Sequence, residues 1–286
     1  MDGVMDILMD TIWDSLRLIP FLFLTYLVME ALEHKAGEKA RRRIQGAGKL
    51  GPLWGAALGV IPHGFSAAAS GLYLGRVITL GTLMSIYLST SEEMLPVLLA
   101  EQVELGVILK ILGLKMLIGM ISGYLVEFVC RKVLRLNTHK MDIHAICETE
   151  RCGCEGGILK SAVSHTVKIC LYIFLVTLVL NGVIGLAGEE RLGMLFVDLP
   201  LVGEMTAALV GLIPNCASSV VITELYLDGV IGTSQLMAGL LVNTGVGILI
   251  ILRQGQSRKE KLGIIGALYG IAVFWGVVIG AAGIRF

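Results

Sequence analysis

Two prolines in nearly the same surroundings, Pro62 in "GVIPHGFS" and Pro214 in "GLIPNCAS", interrupt apolar stretches otherwise suited to crossing a membrane. Around the first lie His63, Gly64 and Ser66; around the second lie Asn215, Cys216, Ser218 and Ser219. Proline removes a backbone donor and breaks a helix. The amides and carbonyls freed at the two helix ends can then hold an ion, with imidazole, amide, thiol and hydroxyl groups as further ligands. Taken singly, His63 is a hydrogen-bonded core histidine and Cys216 a small hydrophobe. Their paired placement after duplicated prolines favours a ligand role for His63.

Downstream of each proline comes a second polar cluster, "LSTSEEMLP" in the first case and "LVNTGVG" in the other. Thr90 and Ser91 correspond to Asn243 and Thr244, while the acidic pair Glu92 and Glu93 occurs only in the first copy. Ionisable groups at membrane depth are costly and face a site, a partner or a proton path. His63, Glu92 and Cys216 are therefore the expected metal ligands, and Glu92, Glu93 and Lys115 the expected proton-coupling groups. The competing reading pairs Lys115 with Glu92 or Glu93 as a structural ion pair, or leaves both acids at the outer interface near Pro96. Glu224 and Asp228, at a segment end, are expected to be solvated.

A third cluster sits between the two copies, in "NTHKMDIHAICETERCGCEGG", with His139, His144, Cys147, Cys152 and Cys154. Thiolates and imidazoles together suit soft or borderline ions such as Zn(II), Cu(I) or As(III), whereas Mn(II) prefers carboxylates. The spacing matches no standard zinc finger. A disulfide is the alternative, disfavoured because the flanking basic residues place the loop in the reducing cytoplasm. The expected role is sensing or delivery of metal or metalloid.

The elements that must position these groups follow from composition. Of 286 residues 55% are hydrophobic and 16% charged, the net charge is zero, and mean hydropathy is +0.81, which marks a polytopic membrane protein rather than a soluble domain. Segments near 11–33, 77–98, 104–128, 166–187, 229–252 and 262–284 read as ordinary spans of about 20 residues. The acidic N-terminus, with Asp2, Asp6, Asp10 and Asp14 every fourth residue, reads as a retained interfacial helix lying outside.

Basic runs at 34–43, 130–140 and 253–261 place the loops 34–50, 129–160 and 253–261 on the cytoplasmic side. The stretches 51–75 and 199–227 then satisfy the charge pattern only if each enters and returns as a hairpin broken at "IPHG" or "IPNC". They are also copies of each other, aligning Gly59 with Gly211, Pro62 with Pro214, Ser66 with Ser218 and "LYL" with "LYL". Each half crosses an odd number of times, so the halves are inverted. The expected fold is all-α, with about ten helices in two inverted-topology repeats, each a Pro-broken hairpin plus spanning helices. Residues 1–135 form the first repeat, 136–160 the cytoplasmic Cys/His loop and 161–286 the second repeat. Paired interrupted helices point to a secondary-transport site near the midplane.

"IPHG…S" followed by "STSEEMLP", a central loop with "CGC", then "IPNC..S" and "LVNTGVG" together resemble the ten-helix heavy-metal exporter family of prokaryotic membranes. Members are labelled arsenic efflux proteins or manganese transporters. The resemblance covers nearly the whole chain and implies ion export from the cytoplasm without an ATPase domain. No GxxxxGK[ST] loop is present, in keeping with that implication.

The expectation is thus a multi-pass transporter of the inner membrane, not an enzyme, exporting a manganese, zinc or arsenite-class ion by alternating access. It needs no cofactor beyond the transported ion. Its partners are the lipid bilayer, the ion and coupling protons, with a homo-oligomer left open and nucleic acid excluded. The rivals are an oxyanion carrier for phosphate or arsenate, using amides and hydroxyls at half-helix N-termini, and a membrane thiol oxidoreductase. The latter needs a cysteine pair in the membrane, for which Cys216 has only Cys170 as partner.

Overall fold

The computed structural model describes residues 50–60, 65–91, 94–133, 158–187, 201–253 and 257–286, and twelve single residues between 9 and 27, all helical. Among the described residues the secondary structure is helical, with no strand. Eleven helices carry the architecture: α1 (Gly51–Gly59), α2 (Phe65–Leu74), α3 (Leu80–Ser89), α4 (Met94–Ala100), α5 (Leu105–Phe128), α6 (Ile158–Ala187), α7 (Val202–Gly211), α8 (Cys216–Leu227), α9 (Thr233–Val242), α10 (Gly247–Arg253) and α11 (Arg258–Ala281). A π-helical turn, Val129–Val133, continues α5.

Local chemistry sets several of the starts. Thr79 caps α3 by accepting from Thr82 N at 3.3 Å, and Ser257 caps α11 by accepting from Glu260 N at 3.3 Å. Leu105–Lys132, Ala162–Leu180 and Arg258–Ala281 are long and apolar enough to cross a membrane, with mean hydropathies of 2.0, 2.0 and 2.3. The pair α9 and α10 passes the same test together, bent by 43° at the break between them. Hydrocarbon offers backbone groups no partners, so such segments must close their hydrogen bonds internally.

The packing repeats. Helices α1, α3 and α5 pack mutually, as do α7, α9 and α11, while α3 and α9 touch at the centre. Small residues allow the close approach: a Cβ at Gly81 would lie 2.5 Å from Gly123 O, and one at Gly123 would lie 2.7 Å from Gly81 O. In the second triad a Cβ at Gly276 would lie 2.7 Å from that of Ala238. The remaining helices cross between the two sets, α2 packing on α10 and α8 on α4. One apolar core runs through both triads, including Leu83 and Tyr87 with Leu236 and Leu240. A smaller one joins Leu22 and Tyr26 to Ala67, Ile169 and Val246.

Three sequence expectations are corrected here. Residues 77–98 are not one ordinary span, since α3 stops at Ser89 and α4 starts at Met94; nor are 229–252, which divide into α9 and α10. At the breaks Ser89 and Thr90 turn their hydroxyls back onto Ile86 O at 3.1 and 2.8 Å, and Gly245 takes φ +51°. Helix α6 begins at Ile158, eight residues before the expected start and inside the stretch assigned to the central loop. The hairpin reading of 199–227 is matched by α7 and α8 with a turn at 212–215. In the first copy α1 and α2 flank residues 61–64, and the turn itself lies outside the described residues.

Candidate functional site at the helix breaks

The second hairpin turn is organised by Asn215. Its extended backbone ends the turn after Pro214, and its Oδ1 accepts from Ala217 N at 3.0 Å, starting α8. One turn on, Ser218 Oγ donates to Asn215 O at 2.8 Å and has Ile213 O at 3.1 Å. The same oxygen accepts from Asn243 Nδ2 at 2.8 Å, and Asn243 Oδ1 accepts from Gly245 N at 2.9 Å. A single asparagine amide therefore connects the hairpin turn to the break between α9 and α10. Both residues are buried, where an unmade hydrogen bond leaves the full desolvation cost of the group.

The first half joins its break to α1 with a hydroxyl, through residues that are not the counterparts of Asn243 and Ser218. Ser91 Oγ donates to Val60 O at 3.1 Å, joining the break after α3 to the end of α1. Thr90 has φ −60° and ψ 134°, so the helix ends there, and its N–H and hydroxyl both turn back to Ile86 O. Thr90 and Ser91 are buried, as are their counterparts Asn243 and Thr244.

A third junction ties the halves together. Ser70 Oγ lies 2.7 Å from Ser66 O, 2.8 Å from Gly247 O and 2.6 Å from Tyr87 Oη. The first turn of α2 thus rests against the first residue of α10, close enough that a Cβ at Gly247 would lie 2.8 Å from Ser66 O. Ser66, Ser70 and Tyr87 are fully buried. Nearby, Lys115 on α5 is 1% exposed and its ammonium donates to Leu240 O on α9 at 2.8 Å, one turn before the break. Ser219, also buried, offers its carbonyl to Thr223 Oγ1 at 2.7 Å.

Of the residues expected at the site, the structure brings Ser66, Thr90, Ser91, Asn215, Ser218, Asn243 and Thr244 to the breaks and their junctions. Pro214 is half-buried in the second turn. Pro62, His63, Gly64, Glu92 and Glu93 lie outside the described residues, as do His139, His144, Cys147, Cys152 and Cys154; the backbone of Cys216 opens α8. The expected metal set of His63, Glu92 and Cys216 and the pairing of Lys115 with Glu92 or Glu93 therefore fall outside them too. Among the described residues no group of three His, Cys, Asp or Glu side chains is placed to hold a metal ion. Glu224 and Asp228 are exposed, as expected.

Sequence reasoning passed over Ser70, Tyr87, Gly245 and Gly247. The spacing of Ser66 and Ser70 in "SAAAS" puts both on one helix face and was the available signal. Tyr87 had none, because its partner lies on another helix.

The described groups at the breaks are hydroxyl, amide and carbonyl oxygens, a neutral hard-donor set able to replace part of an ion's hydration shell. Lys115, buried on α5, bonds Leu240 O one turn before the second break. No protein-family model, no curated protein and no solved structure matches the chain.

Proposed function

We propose that the chain is a secondary transporter of the inner membrane that exports a divalent heavy metal or metalloid ion by alternating access. Residues 1–135 and 161–286 act as two inverted-topology repeats around the interrupted helices, with residues 136–160 as a cytoplasmic metal-sensing loop. One observation carries this reading: a helix break in each half is hydrogen-bonded to that half's hairpin, through Ser91 to Val60 O and through Asn243 to Ser218. Broken backbone inside a membrane is tolerated where it lines a protein-enclosed or wet site, and paired broken helices are how transporters present ion ligands.

The oxygen donors at these junctions favour the harder end of the expected ions, Mn(II) over arsenite. Glu92 or Glu93 carries the proton or ligates the ion, and His63 and Cys216 supply the softer ligands. The driving force is an ion gradient.

A second reading, an oxyanion carrier, is favoured by the buried amine of Lys115, which donates to Leu240 O one turn before the second break. Purified protein in liposomes with an imposed pH gradient separates the two. Movement of Mn(II), Zn(II) or arsenite, lost in His63→Ala or Glu92→Ala protein that still folds, is the expected result. Movement of phosphate or arsenate instead, abolished by Lys115→Met, overturns the metal reading.

A further inference from the structure

Glu204, in the first turn of α7, is a buried carboxylate that neither the hairpin turns nor the helix breaks use. It is 7% exposed, and its Oε2 is sealed from solvent with no hydrogen-bond partner. The side chain lies where α7, α9 and α11 meet. A Cβ at Gly276 would lie 3.2 Å from Glu204 Cγ and 3.0 Å from Ser234 O. One at Gly280, a turn further along α11, would lie 3.6 Å from Glu204 Oε1 and 3.5 Å from Ser234 Oγ. Two glycines thus let α11 pack closely where a carboxylate, a hydroxyl and a carbonyl converge.

The other triad has a carboxylate in a comparable contact. Glu127, at the end of α5, is buried against Gly81, and its Oε1 accepts from Arg131 Nε at 2.6 Å. That charge is cancelled by a cation of the chain itself. Among the described residues nothing comparable reaches Glu204. Helix α9 carries no titratable side chain. On α11, Arg258, Lys259, Glu260 and Lys261 sit at the opposite end, and Tyr269 donates its hydroxyl to Met205 O at 3.1 Å. On α8, Glu224 is exposed and Tyr226 donates to Phe286 O at 3.0 Å; Arg285, beyond α11, is exposed.

We propose that Glu204, with Ser234, binds one sodium ion. An uncompensated buried charge costs several kcal/mol, and one positive charge cancels it. A divalent ion would leave a net positive charge in the same low-dielectric space, and an all-oxygen donor set suits a hard cation. Its role as the coupling ion rests on the transport reading above, whereas its binding is measurable without transport.

The test is the thermal unfolding midpoint of the purified full chain in choline chloride, with sodium chloride titrated in at fixed pH. A sodium-dependent rise absent from Glu204→Gln is the expected result. Ser234→Ala is expected to weaken the apparent affinity about tenfold, a loss near 1.4 kcal/mol, and it keeps the test decisive should Glu204→Gln not fold. Glu127→Gln retains the response. A wild-type protein insensitive to sodium, or a Glu204→Gln or Ser234→Ala protein responding as wild type does, overturns the site. Binding without transport would overturn the transport reading alone.

Discussion

Helix α3 ends in hydroxyls and helix α9 ends in an amide, and the two breaks behave differently for that reason. After α3, Ser89 and Thr90 bond back onto their own helix and only Ser91 reaches across, to Val60 O. After α9, Asn243 reaches across with its amide nitrogen and caps Gly245 with its amide oxygen, and Gly245 takes a left-handed turn. The first break is held mainly by local bonds, each replaceable by a neighbour. The second depends on one residue with two roles. The same architecture can therefore be robust in one half and concentrated in a single side chain in the other.

Breaking the second junction should have the largest effect. Asn243→Ala removes the donor to Ser218 and the acceptor for Gly245 N together; Ser218 keeps its bonds to Asn215 O and Ile213 O, and the buried Gly245 N is left without its partner at roughly 1–3 kcal/mol. The expected outcome is a fall in unfolding midpoint and loss of transport. Asn243→Asp separates the roles, since it keeps the acceptor for Gly245 N and loses the donor. Stability equal to wild type in both variants would show that the break is not held by this side chain.

Gly245→Ala comes next. At φ +51° a Cβ is strained, and the left-handed conformation costs a non-glycine residue roughly 1–2 kcal/mol. The change leaves every side-chain bond of the junction in place, so it tests backbone geometry apart from hydrogen bonding. An unfolding midpoint unchanged from wild type would mean that the chain reaches the bend by another route.

Those two residues also show what was legible in the sequence. The second hairpin could be read because Pro214 and Asn215 announce a break locally: one removes a donor, and the other caps the next helix. Duplicated prolines and "LYL" in register are the sequence's argument for a repeat, and two helix triads pack in the same order. The breaks at Thr90 and Asn243 were not, because Ser, Thr and Asn sit comfortably in apolar helices when their side chains bond a carbonyl one turn back. Whether such a residue bends the helix depends on what waits across the gap, here Val60 O and Ser218. Glu204 was missed for a related reason. A single acid near a segment start looks solvated in sequence, and only the glycines of α11 bring it into the core.

Ser91→Ala should cost about 1 kcal/mol, the worth of one hydrogen bond whose acceptor, Val60 O, can find another donor. Thr90→Val should cost less still, about 0.5 kcal/mol, since Ile86 O keeps its bond from Thr90 N when the hydroxyl is lost and the volume is conserved. That small stability effect makes Thr90 the most informative of the four. Its hydroxyl is structurally dispensable, so transport by Thr90→Val separates holding the break from holding the ion. Near-normal transport assigns the hydroxyl to the helix end. A large loss of transport with an unchanged unfolding midpoint assigns it to the ion, and would make the first break, for all its local bonding, the more chemically committed of the two.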